Sequence, residues 1–474
     1  MSSARYWCSG IALTLWTVVT PQQGVAQQIA PDSAPPSLAA RVDELDQQIR
    51  VLQRLRELAA DSAAAAAADR ASATANARDG FSLKSADGKY ALRLRGYAQT
   101  DARFVPGDGA GAFTNSFLLR RARPILEATI GRYFDFRLMP DFGQGQTVLF
   151  DAYWEGKFDP AFTVRAGKFK SPISLERLRS ATDITFAERG FPSNLAPNRD
   201  IGLQIAGDIS GGVLSYQAGV FDGAADLGNL DADLSDSKDL VARLFVQPFG
   251  RGTLQGSGFG VAGSTGNEQG SATATGLPGY RAPSQQTFFR YRTGTTPGST
   301  VLAAGRRSRL YPQAFLALGS LGVLAEYAVS RQDVTLAGTT VRLEHHAWQA
   351  SGSYFLTGEK AGFRSPAPRK PFDLKAGTFG ALEVAARYGE IDIDGDAFPL
   401  FADPAGSARR AKGFGLGINW YLNKAIKLLV NYEHTTFAGG AASGDQAGRL
   451  RGHPVSALVL NSHRGTLTTC APES

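Results

Sequence analysis

Apolar and charged residues alternate with a period of two along most of this chain. Between residues 91 and 104, Leu92, Leu94, Ala98 and Phe104 fall on one face of an extended segment. The opposite face carries Arg93, Arg95, Tyr97, Gln99, Asp101 and Arg103. Because successive side chains of a β-strand point to opposite faces, the pattern predicts strands with one apolar and one charged face.

Further strands with the same alternation are predicted from about residue 80 onward. Their ranges are 134–142, 149–158, 201–209, 213–221, 240–246, 323–331, 382–388, 414–422 and 426–434. In all we expect about fifteen strands joined by turns. Abundant glycine (54 residues) and a body without cysteine suit such a fold. The predicted fold class is all-β.

Two all-β architectures fit this alternation. A soluble sandwich would bury the apolar face against a second sheet, whereas a transmembrane antiparallel β-barrel would turn it toward lipid. Strands of about ten residues match a tilted bilayer crossing, and no apolar run is long enough for a helical span. We also expect short turns on one edge and long loops on the other. The long loops expected are 171–198, 222–238 and 357–377. We therefore favour the barrel, with its apolar face in contact with lipid.

The first 79 residues differ from the body. Residues 1–26 have the charge, apolar core and small-residue end of a signal peptide, although a frayed hydrophobic terminus is an alternative. Residues 27–79 are expected to form a periplasmic linker and coiled coil. Within them Val42, Leu45, Ile49 and Leu52 have heptad spacing. A single amphipathic helix is the alternative.

The formal net charge of +7 indicates attraction to anions. Lysine and arginine are spread along strands rather than clustered in tails, which argues against nucleic acid as a partner. No serine lies in a nucleophile motif, and 258–263 matches a dinucleotide pattern without the required βαβ context. The carboxylates at 392, 394 and 396 do not complete an EF-hand, although they could hold divalent ions between headgroups. We expect no enzyme, no cofactor and no metal site.

Residues 162–207 combine two strand patterns with a long basic insertion, and long structured loops of this kind are usually functional. Together with other segments they resemble the phosphate-selective porin O/P family over roughly residues 80–437. The segments are FLLRRAR at 117–123, FDAYWE at 150–155, GKFKSPISLERL at 167–178, DITFAERGFP at 183–192, NRDIGLQIAG at 198–207, EYAVSRQ at 326–332 and GLGINWYLNKAIKLLVNYEHT at 415–435.

The resemblance implies a trimeric barrel of about sixteen strands in the outer membrane of a Gram-negative bacterium. It also implies an inward-folded third loop, anion-conducting basic residues and a periplasmic N-terminal segment. The expected wall residues are Arg93, Arg95, Arg103, Arg121, Arg123 and Arg165. The expected loop and constriction residues are Lys168, Lys170, Arg177, Arg179, Arg189 and Arg199.

Some of the loop cations could instead pair with Glu176, Asp183 and Glu188 and anchor the loop. Among them we expect Lys168 and Lys170 to matter most for selectivity, and Arg189 and Arg199 to be more structural. Arginine suits phosphate because its N–H fork matches two oxygens. The function expected is an anion-selective porin for phosphate or polyphosphate. The alternatives are a general or sugar-type porin, or a tether acting through the coiled coil.

The C-terminal segment 438–474 differs from the body in composition. It contains Cys470 and no aromatic residue, whereas barrels of this type normally end in a strand with a terminal aromatic residue. We hypothesise a frameshifted or replaced last strand, for which residues 455–460 could substitute. Without a closing strand, unpaired backbone groups would face lipid, at several kcal/mol each.

Overall fold

The computed structural model describes residues 37–68, 71–76, 80–104, 115–229, 231, 236–440 and 455–463. Contacts divide the chain into two units, residues 1–68 and 69–474. The segment predicted to be a signal peptide lies outside the described residues.

In the described part of the first unit, α1 (Leu38–Ala68) is a helix of 31 residues. It covers the predicted heptad segment and continues into the alanine-rich residues that follow, ending at Ala68. The heptad positions are all more than half exposed, with Val42 at 57% and Leu52 at 64%. Its association with other helices stays a prediction. Among the residues described, no helix has both the length and the apolar character needed to cross a membrane.

The second unit consists mainly of strands. They are β1 (Ser72–Asn76), β2 (Gly80–Lys84), β3 (Tyr90–Phe104), β4 (Ser116–Ile130), β5 (Phe134–Asp141), β6 (Val148–Asp159), β7 (Phe162–Phe169), β8 (Asp200–Ile209), β9 (Leu214–Phe221), β10 (Asp239–Val246), β11 (Gly258–Gln269), β12 (Tyr280–Arg281), β13 (Thr287–Phe289), β14 (Leu302–Leu318), β15 (Leu321–Leu336), β16 (Thr339–Phe355), β17 (Ala381–Asp392), β18 (Ala408–Tyr421), β19 (Ile426–Gly440) and β20 (Val455–His463). A short helix, α2 (Leu175–Leu178), lies between β7 and β8.

Eighteen strands form one antiparallel sheet, and β12 and β13 form a separate pair. Neighbours in the large sheet follow chain order from β3 to β11 and from β14 to β20. The short strands β1 and β2 form a hairpin beside β3. The large sheet of the described residues thus has more strands than the fifteen expected from the alternation or the sixteen that the resemblance implies. The prediction of an all-β, antiparallel fold is confirmed.

The C-terminal strand β20 lies inside the segment predicted to be atypical. It pairs with β19 on one side and with β3 on the other, for example Val459 with Leu429 and with Asp101. The chain therefore forms a strand that includes residues 455–460, the segment that the sequence suggested as a substitute for the last strand. The replacement of an original last strand stays a hypothesis.

The two faces of the sheet have opposite character, as the alternation predicted. On the outer face Leu94 and Leu240 are 50% and 58% exposed, whereas on the inner face Gln99 and Asp101 are almost fully buried. A soluble sandwich would bury its apolar face against a second sheet, and no second large sheet is present among the described residues. The sandwich alternative is therefore wrong for this chain.

The prediction that 357–377 shares an edge with the other long loops was wrong. Connections 170–199 and 222–238 follow β7 and β9, which run in one direction, whereas 356–380 follows β16, which runs in the opposite one. The length of a connection does not reveal its edge, because the edge depends on the number of preceding strands. From the turn edge, the connection reaches the interior, where Phe363 O accepts a hydrogen bond from Arg179 Nε at 3.0 Å.

The connection 270–301, which contains β12 and β13, folds against the inner face. Tyr280 and Phe289 stack with ring centroids 5.6 Å apart. The hydroxyl of Tyr291 lies 2.8 Å from Nε2 of buried His345 on β16. Aromatic packing therefore holds this connection against the inner face, an arrangement that the alternation pattern does not predict.

Candidate functional site

The connection between β7 and β8, residues 170–199, forms the centre of the site, and we call it the inner loop. Its apolar residues are almost completely buried, including Ile173, Phe186 and Leu195. It contacts strands that lie far apart in the pairing order of the sheet: Glu188 meets Arg103 on β3, at 3.0 Å, and Pro192 O accepts a hydrogen bond from the Tyr311 hydroxyl on β14, at 2.9 Å. The inner loop therefore packs against widely separated strands of the inner face.

Glu326, on the inner face of β15, anchors one side of the inner loop. Glu326 accepts hydrogen bonds from the backbone N–H groups of Leu175 and Glu176, at the start of α2. The side chain of Glu176 in turn accepts from Gly190 N at 2.9 Å and from Gln349 Nε2 at 2.8 Å. Buried backbone donors at a helix start need acceptors, and these carboxylates supply them.

The other side of the loop is held by Glu188 and three arginines of β3 and β4. Its carboxylate accepts from Arg103 Nη2 at 3.0 Å, from Arg120 Nη2 at 3.0 Å and from Arg121 Nη2 at 3.3 Å. Burial alone would raise the pKa of Glu188, but the charges of Arg120 and Arg121 outweigh burial and hold it well below its usual range. Glu188 is therefore ionised and acts as the anchor of the loop on this wall.

A β-bulge explains why two consecutive arginines reach the same carboxylate. Gln99 pairs with Arg121 and Thr100 with Leu119, so Arg120 is an extra residue in β4. Bulges locally break the alternation of a strand and redirect side chains. Strict alternation, which the sequence analysis assumed, would place Arg120 on the outer face. It was missed for that reason.

Other arginines on or beside the β3–β8 wall form ion pairs in series. Glu127 binds Arg95 at 2.9 Å and Arg137 at 2.8 Å, and Asp151 binds Arg137 at 3.1 Å and Arg199 at 2.6 Å. Each carboxylate is shared between two cations, so the series retains a positive surplus. A shared partner also fixes the planar guanidinium groups in position.

Aromatic faces support other cations of the same wall. Arg123 pairs with Asp141 at 2.7 Å, and its guanidinium lies 4.1 Å from the centroid of the Phe150 ring. Arg165 pairs with Glu155, and its guanidinium lies 4.6 Å from the centroid of the Tyr153 ring. Such contacts orient a guanidinium without neutralising it.

A cavity of about 940 Å³ lies between this wall, the inner loop and the connection 270–301. Four carboxylates line it, from Asp141, Asp151, Glu188 and Asp226. Ten cationic residues line it as well: Arg120, Arg121, Arg123, Arg137, Arg165, Lys170, Arg177, Arg189, Arg199 and Arg281. The lining therefore has a strong positive surplus and suits negatively charged solutes.

Four of these residues come from the inner loop. Arg199 pairs with Asp151, and we call the other three, Lys170, Arg177 and Arg189, the loop cations. Lys170 Nζ donates to Arg179 O at 2.8 Å, Arg177 to the side chain of Asn198 at 3.0 Å, and Arg189 Nε to Glu176 O at 3.2 Å. They form no ion pair with a carboxylate within the described ranges. Hydrogen bonds to neutral acceptors fix their positions and leave their charge uncompensated.

Burial shifts the titration of the loop cations. It lowers the pKa of Arg177 to about 10 and, together with repulsion from Arg177, that of Arg189 to about 9. The pKa of Lys170 is lowered well below its ordinary value by burial and by the nearby charges of Arg199 and Arg189. The shifts reflect the cost of gathering like charges in a confined space.

Seven of the twelve residues predicted from the sequence line the cavity. They are Arg121, Arg123, Arg165, Lys170, Arg177, Arg189 and Arg199. Of the other five, Arg95 and Arg103 are held in the ion pairs above. Arg93 lies on the inner face of β3, and its Nε has no hydrogen-bond partner within the part of the chain described.

The last two predicted residues have different positions. Lys168 is buried and paired with Asp231, away from the cavity, although it is only two residues from Lys170. Arg179 binds backbone carbonyls of the inner loop and of Phe363. A role of the predicted residues in an anion pathway stays a prediction. Besides Arg120, two cavity cations were not among the predicted residues. Arg137 lies at an inward position of the alternation in 134–142, and Arg281 lies in a strand that was not predicted.

The chain matches the family model of phosphate-selective porin O and P over residues 92–445. No curated protein matches it. Among solved structures it is similar to a loop L8 deletion mutant of OmpT, an outer membrane protein of Vibrio cholerae. The TM-score is 0.50 and the identity 11%, over 79% of this chain and 99% of that chain.

Two further solved structures are similar to the chain. The outer membrane channel DcaP of Acinetobacter baumannii has a TM-score of 0.49 and 12% identity, over 80% of this chain and 98% of that chain. An anion-selective porin from Comamonas acidovorans has a TM-score of 0.46 and 13% identity, over 79% and 99%. The match to the family model covers well over half of the sequence. The chain therefore belongs to the phosphate-selective porin O and P family and is a β-barrel porin of the outer membrane.

Proposed function

We propose that this porin is an anion-selective channel, with phosphate or polyphosphate as its solute. The observation that carries the proposal is the charge of the cavity, where ten cations face four carboxylates. Six of these cations belong to the wall or the connection 270–301, Arg199 of the inner loop pairs with Asp151, and the three loop cations have no carboxylate partner among the described residues. A solute in this space meets several donors and no comparable set of acceptors.

A closed barrel of sixteen strands, β3–β11 and β14–β20, is part of the proposal. Its support is the double pairing of β20, with β19 and with β3, which leaves neither neighbour with a free edge there. A closed ring satisfies every strand edge, as lipid requires. The exposed apolar outer face would then contact outer-membrane lipid, and the charged inner face would enclose water.

The arrangement of the cations suits movement rather than permanent capture of an anion. A unit charge 4 Å from an anion contributes about 1 kcal/mol in water and about 4 kcal/mol at an effective dielectric of 20. Several such sites in one cavity let an anion exchange partners stepwise, and a following anion assists release. Carboxylates such as Asp141 and Asp151 hold the arginines in place and moderate their affinity.

Planar-bilayer recording of the purified porin in a tenfold KCl gradient tests the proposal. We expect a reversal potential with the sign of chloride permeation, and a fall in chloride current when phosphate is added at constant ionic strength. Cation-selective current would refute anion selectivity. Anion-selective current that phosphate does not change would refute the phosphate assignment and favour the general diffusion porin.

We further propose that the porin is a homotrimer with α1 in the periplasm. The support is the exposed apolar stripe of α1, since a helix with Ile49 and Leu52 more than half exposed is expected to associate with another helix. The same stripe is the specific observation in favour of a tethering role. Deletion of residues 38–58 separates the functions: lost envelope integrity with unchanged conductance would indicate tethering, and lost trimers would indicate assembly.

A further inference from the structure

Glu188 occupies a small pocket of arginine donors that opens into the cavity. Arg120 approaches its carboxylate with both Nε and Nη2, while Arg103 and Arg121 each add one donor. Arg120, Arg121 and Glu188 all line the cavity, so the carboxylate lies where solutes pass. The side chain of Glu188 is only 9% exposed, and that of Arg121 only 3%.

The donors of this pocket exceed what one carboxylate uses. Nε of Arg121 is buried and has no hydrogen-bond partner among the described residues. Asp101, the other carboxylate nearby, forms an ion pair with Arg103 at 2.7 Å. Three guanidinium groups thus share two carboxylates, and removal of the Glu188 charge would leave a surplus of two positive charges.

Carboxylate and phosphate oxygens accept the same guanidinium forks. We infer that Arg103, Arg120 and Arg121 form an oxyanion-binding site which Glu188 fills, so that the inner loop supplies a resident competitor for the permeating anion. The inference rests on the proposed function and adds a residue that limits affinity. A tetrahedral oxyanion in this pocket would use the donors that Glu188 now occupies, namely the fork of Arg120 and the Nη2 groups of Arg103 and Arg121.

The competition has a direct consequence for conduction. Conduction requires binding that is favourable enough for entry and weak enough for exit. A pocket of three arginines without an internal anion would hold phosphate too long. With Glu188 in place, the positive charge of the pocket is already partly neutralised. The permeating anion then binds the other cations of the cavity, which hold it less strongly.

The test is the substitution Glu188→Gln, which keeps the shape of the side chain and removes its charge. We expect the phosphate concentration that halves the chloride current to fall about tenfold or more relative to the unsubstituted porin. In the variant the three arginines bond a neutral amide instead of a carboxylate, and such bonds are about half as strong, so phosphate displaces the side chain more easily. Calorimetric titration of the detergent-solubilised porin with inorganic phosphate should show the same gain. Glu188→Thr is a second charge-removing variant should the amide disturb the loop.

Two variants separate charge from loop loosening. Glu188→Asp keeps the charge and should stay near the unsubstituted porin in phosphate affinity. Glu176→Gln perturbs the inner loop on the opposite side, away from these arginines, and should change open-channel noise without strengthening phosphate block. Unchanged phosphate affinity in both charge-removing variants, or an equal gain in E176Q, would overturn the inference. The reversal potential of the unsubstituted porin tests the proposed function separately, so the two failures are distinguishable.

Discussion

The two lysines at the end of β7 offer a matched pair for testing where selectivity arises. Both were expected from the sequence to act together. In the structure Lys170 lines the cavity and binds only backbone carbonyls, whereas Lys168 is paired with Asp231 away from it. We predict that Lys170→Gln weakens anion selectivity and that Lys168→Gln changes it little.

The magnitude follows from the charge removed. An unpaired unit charge 4 Å from an anion contributes about 1 kcal/mol in water, and more where the wall excludes water. A loss of about 1–2 kcal/mol corresponds to a factor of about 5–30 in anion occupancy near that position. We expect the anion-to-cation permeability ratio of K170Q to fall about fivefold, which is the lower end of that range, because nine other cations remain in the cavity.

Reversal potentials of the unsubstituted porin, K170Q and K168Q in the same KCl gradient give this comparison directly. Perfect anion selectivity in a tenfold gradient corresponds to about 59 mV. Equal losses in K168Q and K170Q would refute the argument that uncompensated charge beside the cavity sets selectivity. So would a loss in K168Q alone.

Two further predictions concern pH and the anchoring of the inner loop. Burial and the charges of Arg199 and Arg189 hold the pKa of Lys170 well below the ordinary lysine value of 10.5, so its charge is lost as pH rises, before that value is reached; anion selectivity should therefore fall with rising pH below 10.5, and less steeply in K170Q. Glu326→Ala removes the acceptor for two buried N–H groups of α2, at about 1–3 kcal/mol each. It should increase open-channel noise and trypsin cleavage within 170–199 while leaving strand content by circular dichroism unchanged, and unchanged cleavage would contradict the anchoring role.

The period-two alternation was enough to predict the class of the fold and the inward side of most wall residues. Side-chain direction in a strand is a local property, so Arg95 and Arg123 could be placed on the inner face from their positions alone. The bulge in β4 is where that reasoning failed. A single extra residue redirects Arg120, and its position depends on pairing with β3, which the sequence of β4 does not contain.

Charge compensation is the property that only the tertiary structure decided. Lys168 and Lys170 have the same side chain and nearly the same position in sequence, yet one meets Asp231, 63 residues away, and the other meets only carbonyl groups. The edge occupied by 356–380 and the inward folding of 270–301 depended likewise on how many strands preceded them and on distant aromatic partners. Alternation along a strand is a property of neighbouring residues. The uncompensated charge of a cavity depends instead on long-range contacts, which form only when the sheet packs around its inner loop.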